Sequence, residues 1–190
     1  MAGMRRARAP RPAAYLAALA ALGCAASARA HHLDGGNTQV SFQVGQLGLH
    51  LFSAAFRELQ GEFTLSPQPG VAHLTVVVAM ASLSSRSPAW DERLRSTDWL
   101  DTAHFPQMSF RSFAVQLEGG GRARIEGELT LHGITRSLTL VLTDVDCPAA
   151  TAGGSDCRFL GRGHLKRSDF GLPHGFFQGG DEVTIVVRGR

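Results

Sequence analysis

Charge is scarce in this chain of 190 residues: 18% are Asp, Glu, Lys or Arg, against 44% hydrophobic. Tyrosine is nearly missing, its one copy being Tyr15, and there are three cysteines. The length fits one domain, or one domain with a leader, which excludes a large multidomain enzyme. The composition is neither disordered nor collagen-like. No apolar run reaches the roughly 20 residues that a membrane-spanning helix needs. There is no Gly-x-Ser-x-Gly elbow, P-loop or Cys-x-x-Cys zinc pair, and none of the eight histidines forms a His-x-x-x-His pair. These absences remove the usual sequence grounds for an enzyme or a resident cofactor.

The formal net charge of +3 suggests a polyanion partner until the charges are located. Arg5, Arg6, Arg8 and Arg11 precede an apolar run from Ala13 to Leu22, and Ala28-Arg29-Ala30 places small residues at the −3 and −1 positions of a cleavage site. This is the three-part pattern of a secretory signal peptide. The expected division is therefore a leader, residues 1–30, cut after Ala30, and one domain, residues 31–190. Lipidation at Cys24, after Leu22-Gly23, is the minor alternative, with Ala21 where a lipobox usually carries Leu. Removing the leader takes five arginines and no acidic residue, so the net charge becomes −2. The basic residues that remain alternate with acidic ones, and no basic patch with interleaved aromatics points to nucleic acid. The expected location is the periplasm. Cys147 and Cys157 survive cleavage, and an even number of cysteines in an exported chain reads as a disulfide.

Beyond the leader, apolar residues recur with period two. Val40, Phe42 and Val44 alternate with polar residues, as do Leu59, Gly61, Phe63 and Leu65. Leu74 to Met80, Met108 with Phe110, and Leu138, Leu140 and Leu142 continue the pattern. So do Phe159 to Leu165 and Val183, Ile185 and Val187. The clearest run is Ala123, Ile125, Gly127, Leu129 and Leu131, interleaved with Arg122, Arg124, Glu126, Glu128 and Thr130. This predicts an all-β fold of eight antiparallel strands, closed into a barrel or packed as two sheets. Gly61, Gly127, Gly161 and Gly163 read as bends at barrel corners. Between Met80 and Pro106, Ser87-Pro88 predicts the start of a short helix over Ala89 to Leu94, with the Ser87 hydroxyl as its cap. That excursion is expected to cross one end of the barrel.

Several polar groupings invite chemical readings. Gly179-Gly180-Asp181-Glu182-Val183 resembles a cyclase signature but opens the last strand of an all-β chain, so it reads as a turn. Asp98, Asp101 and His104 are spaced for one helix face, yet a solvated acidic segment is the commoner case and no metal is expected. His31 and His32 would stand at the new N-terminus and could hold copper weakly through the free amine. Arg167-Ser168-Asp169, even with His164 nearby, reads as a polar turn rather than a catalytic set.

What the sequence has in quantity is phenylalanine, 11 residues, all beyond the leader. From alternation, the inward candidates are Phe42, Val44, Phe63, Met108, Phe110, Leu129, Leu140 and Phe170. An interior lined by Phe, Leu, Val and Met with few polar handles suits a long hydrocarbon better than a sugar or nucleotide. The same side chains could equally fill a solid core, and composition leaves that open.

Several strings in order resemble the YceI family of exported bacterial lipid-binding proteins. They include Val40-Ser41-Phe42-Gln43-Val44, Leu94-Arg95-Ser96-Thr97-Asp98-Trp99-Leu100-Asp101 and Phe105-Pro106-Gln107-Met108-Ser109-Phe110. Gly127-Glu128-Leu129-Thr130-Leu131-His132-Gly133-Ile134-Thr135-Arg136 is the most specific, and Arg167-Ser168-Asp169-Phe170-Gly171-Leu172 follows. The resemblance implies an extended, lipocalin-like, eight-stranded antiparallel β-barrel in the periplasm, holding a polyisoprenoid or isoprenoid-quinone chain, with no catalytic residues. Departures are Gln46 where many members have His, Trp90-Asp91-Glu92-Arg93 in place of Arg-Asp-x-His, Ala54 in place of Gly, and the added cysteine pair. The function expected is a non-enzymatic carrier or store for a long isoprenoid lipid. The alternatives are an interaction module docking a membrane redox or stress-response partner, and an enzyme on isoprenoid substrates that would depend on Asp91 or Asp98.

Overall fold

A computed structural model describes residues 29–46, 49–65, 72–146, 158–173 and 180–189. Cys24, Cys147 and Cys157, and with them the expected lipidation and disulfide sites, lie outside the described residues, as does most of the leader.

The strands are β1 (Arg29–Asp34), β2 (Thr38–Gln46), β3 (Leu49–Phe56), β4 (Leu59–Leu65), β5 (Ala72–Ala79), β6 (Leu83–Ser84), β7 (Gln107–Gly119), β8 (Arg122–Leu131), β9 (Ile134–Asp146), β10 (Arg158–Lys166) and β11 (Glu182–Gly189). Among the described residues one α-helix, α1 (Pro88–Arg95), lies between β6 and β7. The strands form a single curled sheet, a half-barrel, in the order β1-β4-β5-β7-β8-β9-β10-β11-β2-β3-β6. The pairings within it are antiparallel.

The all-β reading holds, but among the described residues the count is 11 strands rather than eight. The additional ones are β1, β3 and β6. Each adjoins a break in a longer run. β1 leads into β2 through the turn at Gly35–Asn37, where the Asp34 carboxylate accepts the N–H groups of Gly36 (2.7 Å) and Asn37 (3.1 Å). β3 leads into β4 through Arg57 and Glu58, both of whose N–H groups donate to the Ser82 hydroxyl. β5 leads into β6 through a 3-10 turn at Met80–Ser82. Because β3 pairs with β2 while β4 pairs with β5, this bent run bridges the two ends of the sheet order.

The helix begins where expected, with Ser87 at the N-cap and Pro88 in its first turn, but the Ser87 hydroxyl makes no capping bond. Asp91 anchors the entry instead, its Oδ1 accepting the Ser85 N–H at 2.7 Å. From Thr97 to His104 the chain runs in successive turns. Trp90 of α1 meets Phe52 of β3, ring centroids 5.8 Å apart, and Phe52 meets Phe42 at 6.0 Å. Phe52 pairs with Val44 and shares its cavity-facing side, so this aromatic chain seats the helix across the inner side of β3, at the end of the sheet where Leu94 lines the lower cavity.

The alternating side chains of β5, β7, β8 and β9 face one core, with Val78, Met108, Phe110, Ile125, Leu129 and Leu140 all buried. In β7 Phe113 falls on the outer parity and is 62% exposed, and the bulge between Ser112 and Ala114 resets the alternation so that Val115 is the next buried residue. Gly127 and Gly163 do more than allow a bend. A Cβ on Gly127 would stand 2.5 Å from Phe110 Cζ, and one on Gly163 would stand 2.7 Å from Leu140 Cδ2. Both glycines make room for side chains that reach the interior.

Candidate functional site

The interior is not solid. An upper cavity of about 260 Å³ is ringed by residues of β1, β2, β4, β5 and β7 to β11. A lower cavity of about 70 Å³ lies under the excursion that follows β6, with Leu94, Trp99 and Leu100 in its wall. Val40, Met108 and Ile185 line both, so the two stack along one axis with these side chains at the waist. Together they fall near the lower end of the roughly 300–1,000 Å³ usual for ligand pockets.

Of the inward candidates, Phe63, Phe110, Leu129 and Leu140 line the upper cavity, Phe42 and Val44 the lower, and Met108 both. Phe170 lines neither. It is 2% exposed, in a 3-10 turn at Arg167–Phe170. The upper wall is apolar except along the β1–β2 seam, where His31, His32, Asn37 and Thr38 border it. At the outer end Leu117 is 73% exposed while still lining the cavity, which marks a rim of bare hydrocarbon.

Sequence reasoning missed Arg167. Taken as part of a polar turn, it is buried and borders the lower cavity. Its Nη2 donates to the Gly180 carbonyl at 2.8 Å, and its backbone N–H donates to the Asp181 carbonyl at 2.9 Å. The Asp181 carboxylate accepts the Ser168 N–H (2.9 Å) and hydroxyl (2.5 Å). Gly180 and Asp181 therefore tie the turn to the start of β11. The signal was available: Gly161, Gly163 and Leu165 face inward, and one more step of two reaches Arg167.

The polar residues weighed for chemistry do not converge. His104 Nδ1 and the Asp101 carboxylate lie 2.9 Å apart, with His104 exposed, and Asp98 is exposed. Among the described residues no group of three or more His, Cys, Asp and Glu side chains is placed to hold a metal. Asp91, named in the enzymatic alternative, is buried and engaged with Ser85.

A curled antiparallel sheet around an apolar tunnel is found in several families, and the sequence decides between them. The model of the YceI-like domain matches residues 31–190. The chain belongs to the YceI-like family. It is 30% identical over 161 residues to a UPF0312 protein of Vibrio vulnificus (strain YJ016), a match covering 83% of this chain and 85% of that one. It is 28% identical over 155 residues to YceI of Escherichia coli O157:H7, covering 81% of each. Among solved structures, BcnA of Burkholderia cenocepacia is similar with a TM-score of 0.69 and 24% identity, over 82% of this chain and 97% of that one. A polyisoprenoid binding domain from Saccharophagus degradans is similar with a TM-score of 0.56 and 16% identity, over 86% and 99%. At these identities the solved structures bear on the YceI-like fold alone.

Proposed function

We propose that this YceI-like protein is an exported, non-catalytic carrier or reservoir that holds the apolar chain of an isoprenoid lipid inside its curled sheet. The observation that carries the reading is the pair of stacked cavities, whose walls are almost wholly Phe, Leu, Val, Ile and Met. Such a wall offers a hydrocarbon chain the full gain of leaving water and offers a polar ligand almost no partners. Burying about 400 Å² of apolar ligand surface contributes roughly 10 kcal/mol before ordering costs. The polyisoprenoid binding domain among the structural neighbours supports the isoprenoid class. Export to the periplasm rests on the leader pattern of residues 1–30, and the family match begins at the residue after it.

Uptake tests the reading. Delipidated protein is mixed with vesicles containing a radiolabelled polyprenol and then separated from them by gel filtration. Label should co-elute with the protein and be displaced by unlabelled polyprenol. Label that stays wholly with the vesicles counts against the carrier.

A further inference from the structure

A polar recess of about 540 Å³ opens on the outer surface where β3 turns into β4 against β6 and α1, bordered by Arg57, Glu58, Arg86, Asp91 and Arg95. Two guanidinium groups are held on neighbouring residues of β6. Arg57 Nη2 donates to the Ser84 hydroxyl at 3.0 Å, and Arg95 Nη2 donates to the Leu83 carbonyl. Arg86 is exposed at the rim. Among the described residues no salt bridge joins any of the three to a carboxylate. Of the two acidic residues at the recess, Asp91 has Oδ1 on the Ser85 N–H, and Glu58 is exposed.

Three arginines outnumber the two carboxylates that border the recess, and none of the three is ion-paired among the described residues, so an anion placed there is attracted to all of them. A guanidinium matches the oxygens of a phosphate with its planar fork of N–H donors. We propose that this recess binds a phosphate-class oxyanion between Arg57 and Arg95, with Arg86 at its rim. The site is separate from the apolar interior and stands whether or not the interior holds a lipid. A free phosphate and the headgroup of an anionic phospholipid present the same chemistry to it.

The test uses the full mature protein and two variants at exposed positions, Arg86→Gln and the double Arg57→Gln/Arg86→Gln. Inorganic phosphate is titrated calorimetrically against chloride at matched ionic strength. In parallel, the proteins are sedimented with vesicles of phosphatidylglycerol or of phosphatidylcholine. The expected result is oxyanion binding by the wild type that weakens in Arg86→Gln and falls roughly tenfold in the double variant, as loss of charge-assisted bonds implies. Phosphate binding without vesicle binding identifies a free anion, and phosphatidylglycerol-selective sedimentation lost in the variants identifies the lipid headgroup. Absence of both interactions, or equal binding by wild type and double variant, overturns the proposal.

Discussion

The ring of Phe110 occupies the space a side chain at Gly127 would need: a Cβ there would lie 2.5 Å from Phe110 Cζ and 2.5 Å from the Arg111 carbonyl oxygen. Phe110 lines the upper cavity, so a residue with no side chain on β8 sets where an aromatic wall on β7 stands. Gly127→Ala is expected to cost about 1–3 kcal/mol as an overpacked core site. The backbone oxygen cannot swing away as a side chain could. Urea denaturation should show the lower midpoint, and bound lipid per protein should fall with it.

Ser112 carries a different burden. Its buried hydroxyl accepts the Leu74 N–H at 2.8 Å, one residue beyond the Thr75–Arg111 pair of the β5–β7 register. Ser112→Ala removes that acceptor while leaving the donor inside. The expected loss is about 1–3 kcal/mol, the range for an orphaned buried donor. Faster hydrogen exchange at the Leu74 amide would locate the effect.

Met108→Trp addresses the waist between the cavities. Met108 lines both, so a larger rigid side chain there should separate them. The fold should survive at a cost of about 1–3 kcal/mol. Uptake of a long polyprenol should fall steeply while that of a short one, able to occupy the upper cavity alone, is kept. Equal loss of both would place the chain elsewhere.

How much of this was legible from sequence depends on what covers each strand. β8 reads plainly because one face is core and the other water, giving Ala123, Ile125, Leu129 and Leu131 inside and Arg122, Glu126 and Glu128 outside or half-exposed. β3 reads less plainly: Phe52, Ala54 and Phe56 share the inner side, but Leu49 and Leu51 add apolar residues at the other parity, and a bulge lies between Val44 and Gly45 of its partner β2. β6 is two residues long, and β1 begins inside the segment assigned to the leader. All eight inward candidates follow from parity; seven line a cavity, while Phe170 is buried in a 3-10 turn, which has no period of two, and lines neither. Arg167 is not legible in this way because its charge argues for exposure.

The proposed export and processing are open to direct chemistry. Edman sequencing of protein recovered from the periplasmic fraction should begin at His31, which leaves β1 its pairs from His31–Phe63 to Asp34–Gln60. Cys147 and Cys157 should resist alkylation until reduced. Cys147→Ser should then lower stability by about 2–3 kcal/mol, the cost of opening a short loop. A lipid-modified Cys24 at the N-terminus would instead make the protein a lipoprotein.

The central claim is that the interior holds a lipid chain, and organic extraction of the natively expressed protein, purified without detergent, followed by lipid mass spectrometry tests it most directly. The account predicts one class of isoprenoid-tailed lipid, recovered in near-stoichiometric amount from the wild type and depleted from Met108→Trp. An extract without any apolar ligand, from protein whose cavities remain empty in a crystal structure, would contradict it.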